Sequence, residues 1–321
     1  MKADEVQAKE FFKPGEQLLI PIWQRHYAWE APQLNELWND IERLRDSNAP
    51  SHFIGSIVVK RVDYAGRRTE AQRYFVVDGQ QRITTLTLLV CAIRDRLAQL
   101  EATTEARAGL IQSFNSQELL NANLVDGHQH RLVLQARDRE ALDPLIAGNA
   151  TSPKKSLVND AYVFFKSKVA NAKSEQLEDL LSLVKTRLTA VWVGLDEGDN
   201  AHRVFQTLNA GGKKLRQADL VRNYFFLLLG DDGEHFYAQA WEPMEAALSE
   251  NGLVDYMVAW SISQGHTGGK ESLFSYFHRD LVPFEQSVEE VLDYGHRFSA
   301  TARLFGWIRN PDSSNLAPIA K

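Results

Sequence analysis

The stretch Tyr74 to Leu100, YFVVDGQQRITTLTLLVCAIRDRLAQL, most constrains what this chain can fold into. A short β-branched and aromatic run ends at Asp78-Gly79, and apolar residues then recur at Ile83, Leu86, Val90, Ile93, Leu97 and Leu100, which is helical spacing. A strand therefore feeds a helix. The polar pentapeptide Asp78-Gly79-Gln80-Gln81-Arg82 falls at the junction, where the first N–H groups of a helix lack intrahelical partners and carry partial positive charge. Such a junction suits an anion. Gly79 permits close backbone approach, and Arg82 offers a planar fork to phosphate oxygens. Asp78 has the chemistry to hold a metal, accept a hydrogen bond or act as a base; Gln80 and Gln81 can orient water or read an amide-like edge. The same residues also serve as a plain polar cap on a β-turn-α unit.

With 321 residues, 44% hydrophobic and 24% charged, the chain buries a sizeable core in one or two domains. The single cysteine, Cys91, lies inside the apolar helix, so neither a disulfide framework nor a reactive thiol at a helix start is expected. No basic-then-apolar leader opens the sequence and no apolar run reaches membrane-spanning length, so a cytoplasmic protein without membrane contact is expected. The net charge of −6 is unevenly spread: residues 231–321 hold 14 acidic and 6 basic side chains, which leaves about +2 for residues 1–230. A nucleic-acid surface therefore belongs to the first part.

Upstream, Leu18 to Ile22 reads as extended and Glu30 to Leu44 as a helix with Leu34, Leu37, Trp38, Ile41 and Leu44 on one face. Between them Trp23-Gln24-Arg25-His26-Tyr27-Ala28-Trp29 sets three aromatics among an amide, a guanidinium and an imidazole. That composition suits stacking on a base and gripping a phosphate, and equally suits core packing with bonded polar tips. His52 to Lys60 reads as a strand, with Gly55 marking a bulge or a close backbone approach. A net-basic link then leads to the Tyr74 strand.

Residues 101–190 read as mostly helical, broken at DGHQH and at AGNATSPKKS. Asp126, His128 and His130 are close in sequence but lack a metal-ligand spacing, and a loop is expected there. Leu134 to Ser156 is expected to support a variable loop and Asn159 to Val169 a helix. Arg187 to Leu195 is a buried strand that leads to helices over 201–208 and 217–229, with Asn209-Ala210-Gly211-Gly212-Lys213-Lys214 between them as a basic turn compatible with phosphate or a plain helix corner. In the acidic, helix-rich remainder, Gln264 to Ser272 (QGHTGGKES) misses the Walker pattern at its first glycine and after Lys270, and no strand precedes it.

The motifs IPIWQRHYAW, FIGSIVV, VVDGQQRITTLTLL and VFQTLNAGGKKLRQADLVRNYFF, in that order, resemble the N-terminal domain of the GmrSD-like restriction proteins, a relative of the ParB and sulfiredoxin fold. The likeness covers about residues 15–230 and is strongest to the N-terminal part of SspE-type proteins, which sense phosphorothioate-modified DNA. It implies an α+β protein: a small mixed-sheet core with a helical insertion at about 101–186 in a domain spanning 1–230, then a helix-rich acidic region over 231–321. It further implies nucleoside triphosphate hydrolysis, with GTP or another NTP and Mg²⁺, coupled to cleavage or nicking of modified DNA by an HNH nuclease module.

Carried onto this chain, the resemblance makes Asp78, Gln80, Gln81 and Arg82 catalytic, with Asp78 also the metal ligand. Gly79, Thr84, Asn209, Lys213, Asp219 and Asn223 would contact nucleotide, and Trp23, Gln24, Arg25, His26, Tyr27 and Trp29 would read DNA or its modification. Trp23 stands where many relatives have tyrosine. No His…Asn…His nuclease arrangement occurs before Lys321, so a separate regulatory subunit or a truncated form is expected, with the nuclease supplied in cis or in trans. The alternative is a nucleotide-dependent, ParB-like DNA-binding switch without significant hydrolysis; sulfiredoxin-style redox chemistry lacks its cysteine at the strand-helix turn.

Overall fold

The computed structural model describes residues 2–22, 24–47, 49–62, 70–149, 155–196, 217–229 and 232–309. They divide into two compact units, residues 1–21 with 25–201 and residues 22–24 with 202–321. The sequence division at 230 therefore falls inside the second unit.

The first unit is built on a six-stranded mixed sheet of order β1-β6-β3-β4-β2-β5. Its strands are β1 (Lys2–Gln7), β2 (Glu16–Leu19), β3 (His52–Arg61), β4 (Gln72–Asp78), β5 (Leu132–Val133) and β6 (Leu188–Leu195). β3 is parallel to β6 and antiparallel to β4, and β4 is parallel to β2. β1 was not legible in the sequence: KADEVQ is polar, and it becomes a strand because its backbone pairs antiparallel with β6 at the sheet edge.

Among the described residues the first unit also holds six α-helices: α1 (Ala31–Asp46), α2 (Gln80–Leu100), α3 (Thr104–Glu118), α4 (Ala136–Ile146), α5 (Leu157–Val169) and α6 (Ser174–Arg187). The mixed α+β class expected from the sequence is observed. α1 starts with Pro32 in its first turn and a reciprocal cap in which Gln33 accepts from the Glu30 N–H at 3.1 Å; Leu34, Leu37, Trp38, Ile41 and Leu44 are buried as their spacing predicts.

α2 is the centre of the unit. Sequence spacing predicted one apolar stripe, yet Leu88, Leu89, Cys91 and Ala92 are as fully buried as Ile83, Leu86 and Val90, because α3, α4, α5 and α6 all pack against it. Leu100, read as part of the stripe, is instead 44% exposed at the last turn. Burial pushes the Cys91 thiol up to about 12, which leaves it a packing residue.

The expected variable loop over Leu134 to Ser156 is corrected in part. Ala136–Ile146 forms α4, because Ala141, Leu142, Leu145 and Ile146 make a buried face that the flanking charges and Pro144 obscured in the sequence. Its C-terminal carbonyls are claimed by Arg94 of α2, which is fully buried and donates to Leu145 O at 2.5 Å, Ile146 O at 2.6 Å and Asn115 Oδ1 at 2.7 Å. A cation on the open end of a helix is favourable for the unpaired carbonyls and for the dipole. Asp95 pairs with Arg94 at 2.7 Å and accepts from the Tyr162 hydroxyl at 2.7 Å, which brings α5 into the same network.

Asp126, His128 and His130 lie in the α3–β5 connection with separate partners: Gln129, the Ala71 N–H and Asp143 respectively.

The second unit is helical among the described residues. Its helices α7 (Gln217–Leu229), α8 (Glu242–Ser263), α9 (Leu273–Leu281) and α10 (Val288–Arg309) enclose a core rich in aromatics, with Phe225, Phe226, Phe236, Trp241, Phe277 and Phe298 fully buried. Arg222 of α7 donates to Ile22 O at 2.7 Å and pairs with Glu245 at 3.0 Å. A helix, α8, precedes the QGHTGGKES segment, and His266 within it is bonded to Asp280 at 2.9 Å and stacked on Tyr276.

Replacing Arg94 by Ala removes the buried cation that pairs with Asp95 and serves the Leu145 and Ile146 carbonyls at the end of α4, so denaturant unfolding should show a loss of about 3–5 kcal/mol. A loss below about 1 kcal/mol would show that the network is not the brace described.

Candidate functional site at the strand-helix junction

β4 ends at Asp78, Gly79 caps α2, and Gln80, Gln81 and Arg82 form its first turn. Gly79 has φ +93°, and a Cβ there would lie 2.3 Å from Ile57 Cδ1, so only glycine fits between β3 and the helix start.

The two glutamines are turned onto the backbone of the upstream aromatic segment. Gln80 Nε2 donates to Arg25 O at 2.9 Å, Gln81 Nε2 donates to His26 O at 3.2 Å, and Gln81 Oε1 accepts from the Ala28 N–H at 2.8 Å. Both glutamines are buried. The Thr85 hydroxyl donates to Gln81 O at 2.7 Å, so the Tyr27 hydroxyl is the donor in its own 2.7 Å contact with Thr85. Burial raises the Tyr27 pKa far above its ordinary value. Asp138 of α4 holds the other side: its Oδ2 accepts from the Tyr27 N–H at 2.7 Å and lies 3.4 Å from His26 Nδ1. An irregular segment is thereby fixed through its main chain.

Asp78 is half-buried, and burial raises its pKa; the Arg82 charge, a hydrogen bond from the Gly79 N–H and the Arg25 charge pull it back in part. Arg82 Nη1 donates to Ser56 O at 3.1 Å. One carboxylate and two guanidinium groups thus gather where the helix opens. Among the described residues, neither arginine closes an ion pair with Asp78. Thr84 is buried at 2% exposure in the same turn, and Trp29 packs partly buried against the core.

The other expected site residues are placed as follows. Gln24 is buried and clusters with the second unit; Asp219 and Asn223 stand one turn apart on α7 in that unit, with Asn223 Oδ1 buried and without a hydrogen-bond partner among the described residues. Trp23, Asn209 and Lys213 lie outside the described residues. Sequence reasoning missed Asp138, whose helix was read as loop, and the two-sided use of Gln81, which no local pattern signals.

An α+β domain with a positively charged strand-helix junction, closed by a braced aromatic loop, is the class that the coordinates define. The family described as GmrSD restriction endonuclease, N-terminal domain, matches residues 8–226, and the chain belongs to it. It is thereby a restriction-system protein. No curated protein matches the sequence. Among the described residues no helix is long and apolar enough to cross a membrane, and no three His, Cys, Asp or Glu side chains gather as a metal site.

Two outcomes are expected. Gln81→Ala removes both of its bonds to the 26–28 backbone and should lower stability by about 1–3 kcal/mol in denaturant unfolding. Asp78→Asn should raise the melting temperature at neutral pH, because a carboxyl whose folded pKa is raised favours the fold below its ordinary pKa and loses that contribution as pH rises through the raised value. Melts at stepped pH should show the gain vanish in acid; a gain independent of pH would refute the assignment.

Proposed function

We propose that this chain is the nucleotide-binding and nucleotide-hydrolysing sensor of a modification-dependent restriction system, coupling recognition of phosphorothioate or otherwise modified DNA to an HNH nuclease module. The observation that carries the reading is the placement of Asp78 and Arg82 at the N-terminal turn of α2, with the Arg25 backbone fastened to Gln80 beside them. A triphosphate docked there would meet the N–H groups of the helix start and the Arg82 guanidinium, with the Arg25 charge nearby. Arg82 neutralises charge that develops on the transferred phosphoryl group, and Asp78, at the strand end, positions the attacking water.

Asp78 is the residue that would hold an Mg²⁺ ion delivered with the nucleotide, since Mg²⁺ commonly takes one or two carboxylates beside substrate phosphates. When bound it supplies neutralisation of the phosphate charge. Gln80 and Gln81 act as positioning residues that hold Arg25 and the aromatic segment beside the helix start. Arg25, His26, Tyr27 and Trp29, with Trp23 and Gln24, form the segment assigned to DNA.

A nucleotide-dependent switch without significant hydrolysis is the second reading. It is favoured by one observation: both glutamine amides are engaged by the loop backbone, which leaves Asp78 as the group of the pentapeptide able to orient water.

Phosphate release from GTP and ATP, measured alone and with unmodified, phosphorothioate and glucosylated duplexes, separates these readings. Release stimulated by a modified duplex supports the sensor, nucleotide binding without release selects the switch, and absence of nucleotide binding overturns both. Arg82→Ala should cut turnover on the order of 10²–10³-fold while the circular dichroism spectrum is unchanged.

A further inference from the structure

On β3, Gly55 has φ +108°, and the β3–β6 register slips between Phe53 and Ser56. A Cβ at position 55 would lie 2.8 Å from Arg82 Cζ, 2.9 Å from its Nη2 and 3.0 Å from its Nε. With Cζ the nearest atom, the space a side chain would fill is occupied by the flat face of the guanidinium. The next residue completes the seat, because Ser56 O accepts from Arg82 Nη1 at 3.1 Å. Arg82 is therefore fixed by one face and one nitrogen. Among the described residues its Nε and Nη2 have no hydrogen-bond partner, and those two nitrogens form the side-on edge that grips two oxygens of a single anionic group.

We propose that Gly55 is a positioning residue for Arg82: the bare backbone of β3 seats the guanidinium and presents its Nε–Nη2 edge to the phosphate that the site takes. The proposal rests on the reading of Arg82 as the phosphate-contacting group. Gly55 itself touches no ligand. A methyl at 55 meets two penalties, a left-handed backbone that alanine resists and a collision with Arg82, and only the second depends on residue 82.

That difference supplies a test. In the full chain, Gly55→Ala, Arg82→Ala and the double variant are compared by thermal melting, and the first is examined by Arg-selective ¹⁵N NMR with Arg82→Lys assigning the Nε–H signal. Tripolyphosphate and GTP are titrated into each. Gly55→Ala is expected to move or broaden the Arg82 Nε–H signal and to weaken tripolyphosphate binding roughly ten- to hundredfold, as misplacement of a positioned group does. The melting temperature lost through Gly55→Ala should be smaller when residue 82 is already alanine. If Gly55→Ala does not fold, recovery of a folded protein in the double variant supports the seat, and failure of both overturns it. Equal losses in the two backgrounds, or an unmoved Arg82 signal with unchanged tripolyphosphate binding, also overturn it. If wild-type protein binds neither tripolyphosphate nor GTP, the phosphate reading fails instead, while the signal and the melting cycle still judge the seat.

Discussion

The main chain of residues 25–28 is held by the side-chain amides of Gln80 and Gln81, and the rest of the candidate site takes its position from that attachment. A segment outside regular structure has backbone groups that burial leaves needing partners. Here Arg25 O, His26 O and the Ala28 N–H are met from the first turn of one helix, and the Tyr27 N–H from the first turn of another, at Asp138. The segment is thus located by contacts that do not depend on most of its own side chains.

A bracket of this kind is only as fixed as the helix that carries it. α2 is buried through most of its length, with helices packed around it, and Arg94 ties its middle to the ends of α3 and α4. On the other side, Gly79 and Gly55 let β3 close on the helix start, so Ser56 O reaches Arg82. Asp78 and Arg82 thus sit on a strand end and a helix start that packing holds in place. Such preorganisation is what the phosphate role proposed for Arg82 would require.

Much of this was legible. The spacing of Ile83 to Leu97 marked α2, the valine-rich run marked β4, and the turn residues between them marked the junction, because each signal is local. Gly55 was marked as a close approach or a bulge, and both hold, though nothing in FIGSIVV tells that the approaching group is Arg82. α4 was lost among charges and a proline, and Asp138 with it. β1 carries no pattern of its own; only the β6 edge makes it a strand.

By itself the sequence determined the order of strand, turn and helix, the identity of the polar pentapeptide and the motif set that marks the family, since these depend on neighbours a few residues apart. Tertiary structure alone decided what the glutamines do, which backbone Arg82 rests on and what holds Tyr27. Those partners lie 26 to 111 residues away along the chain, and no periodicity encodes a contact whose distance is set by how a sheet and its helices close together.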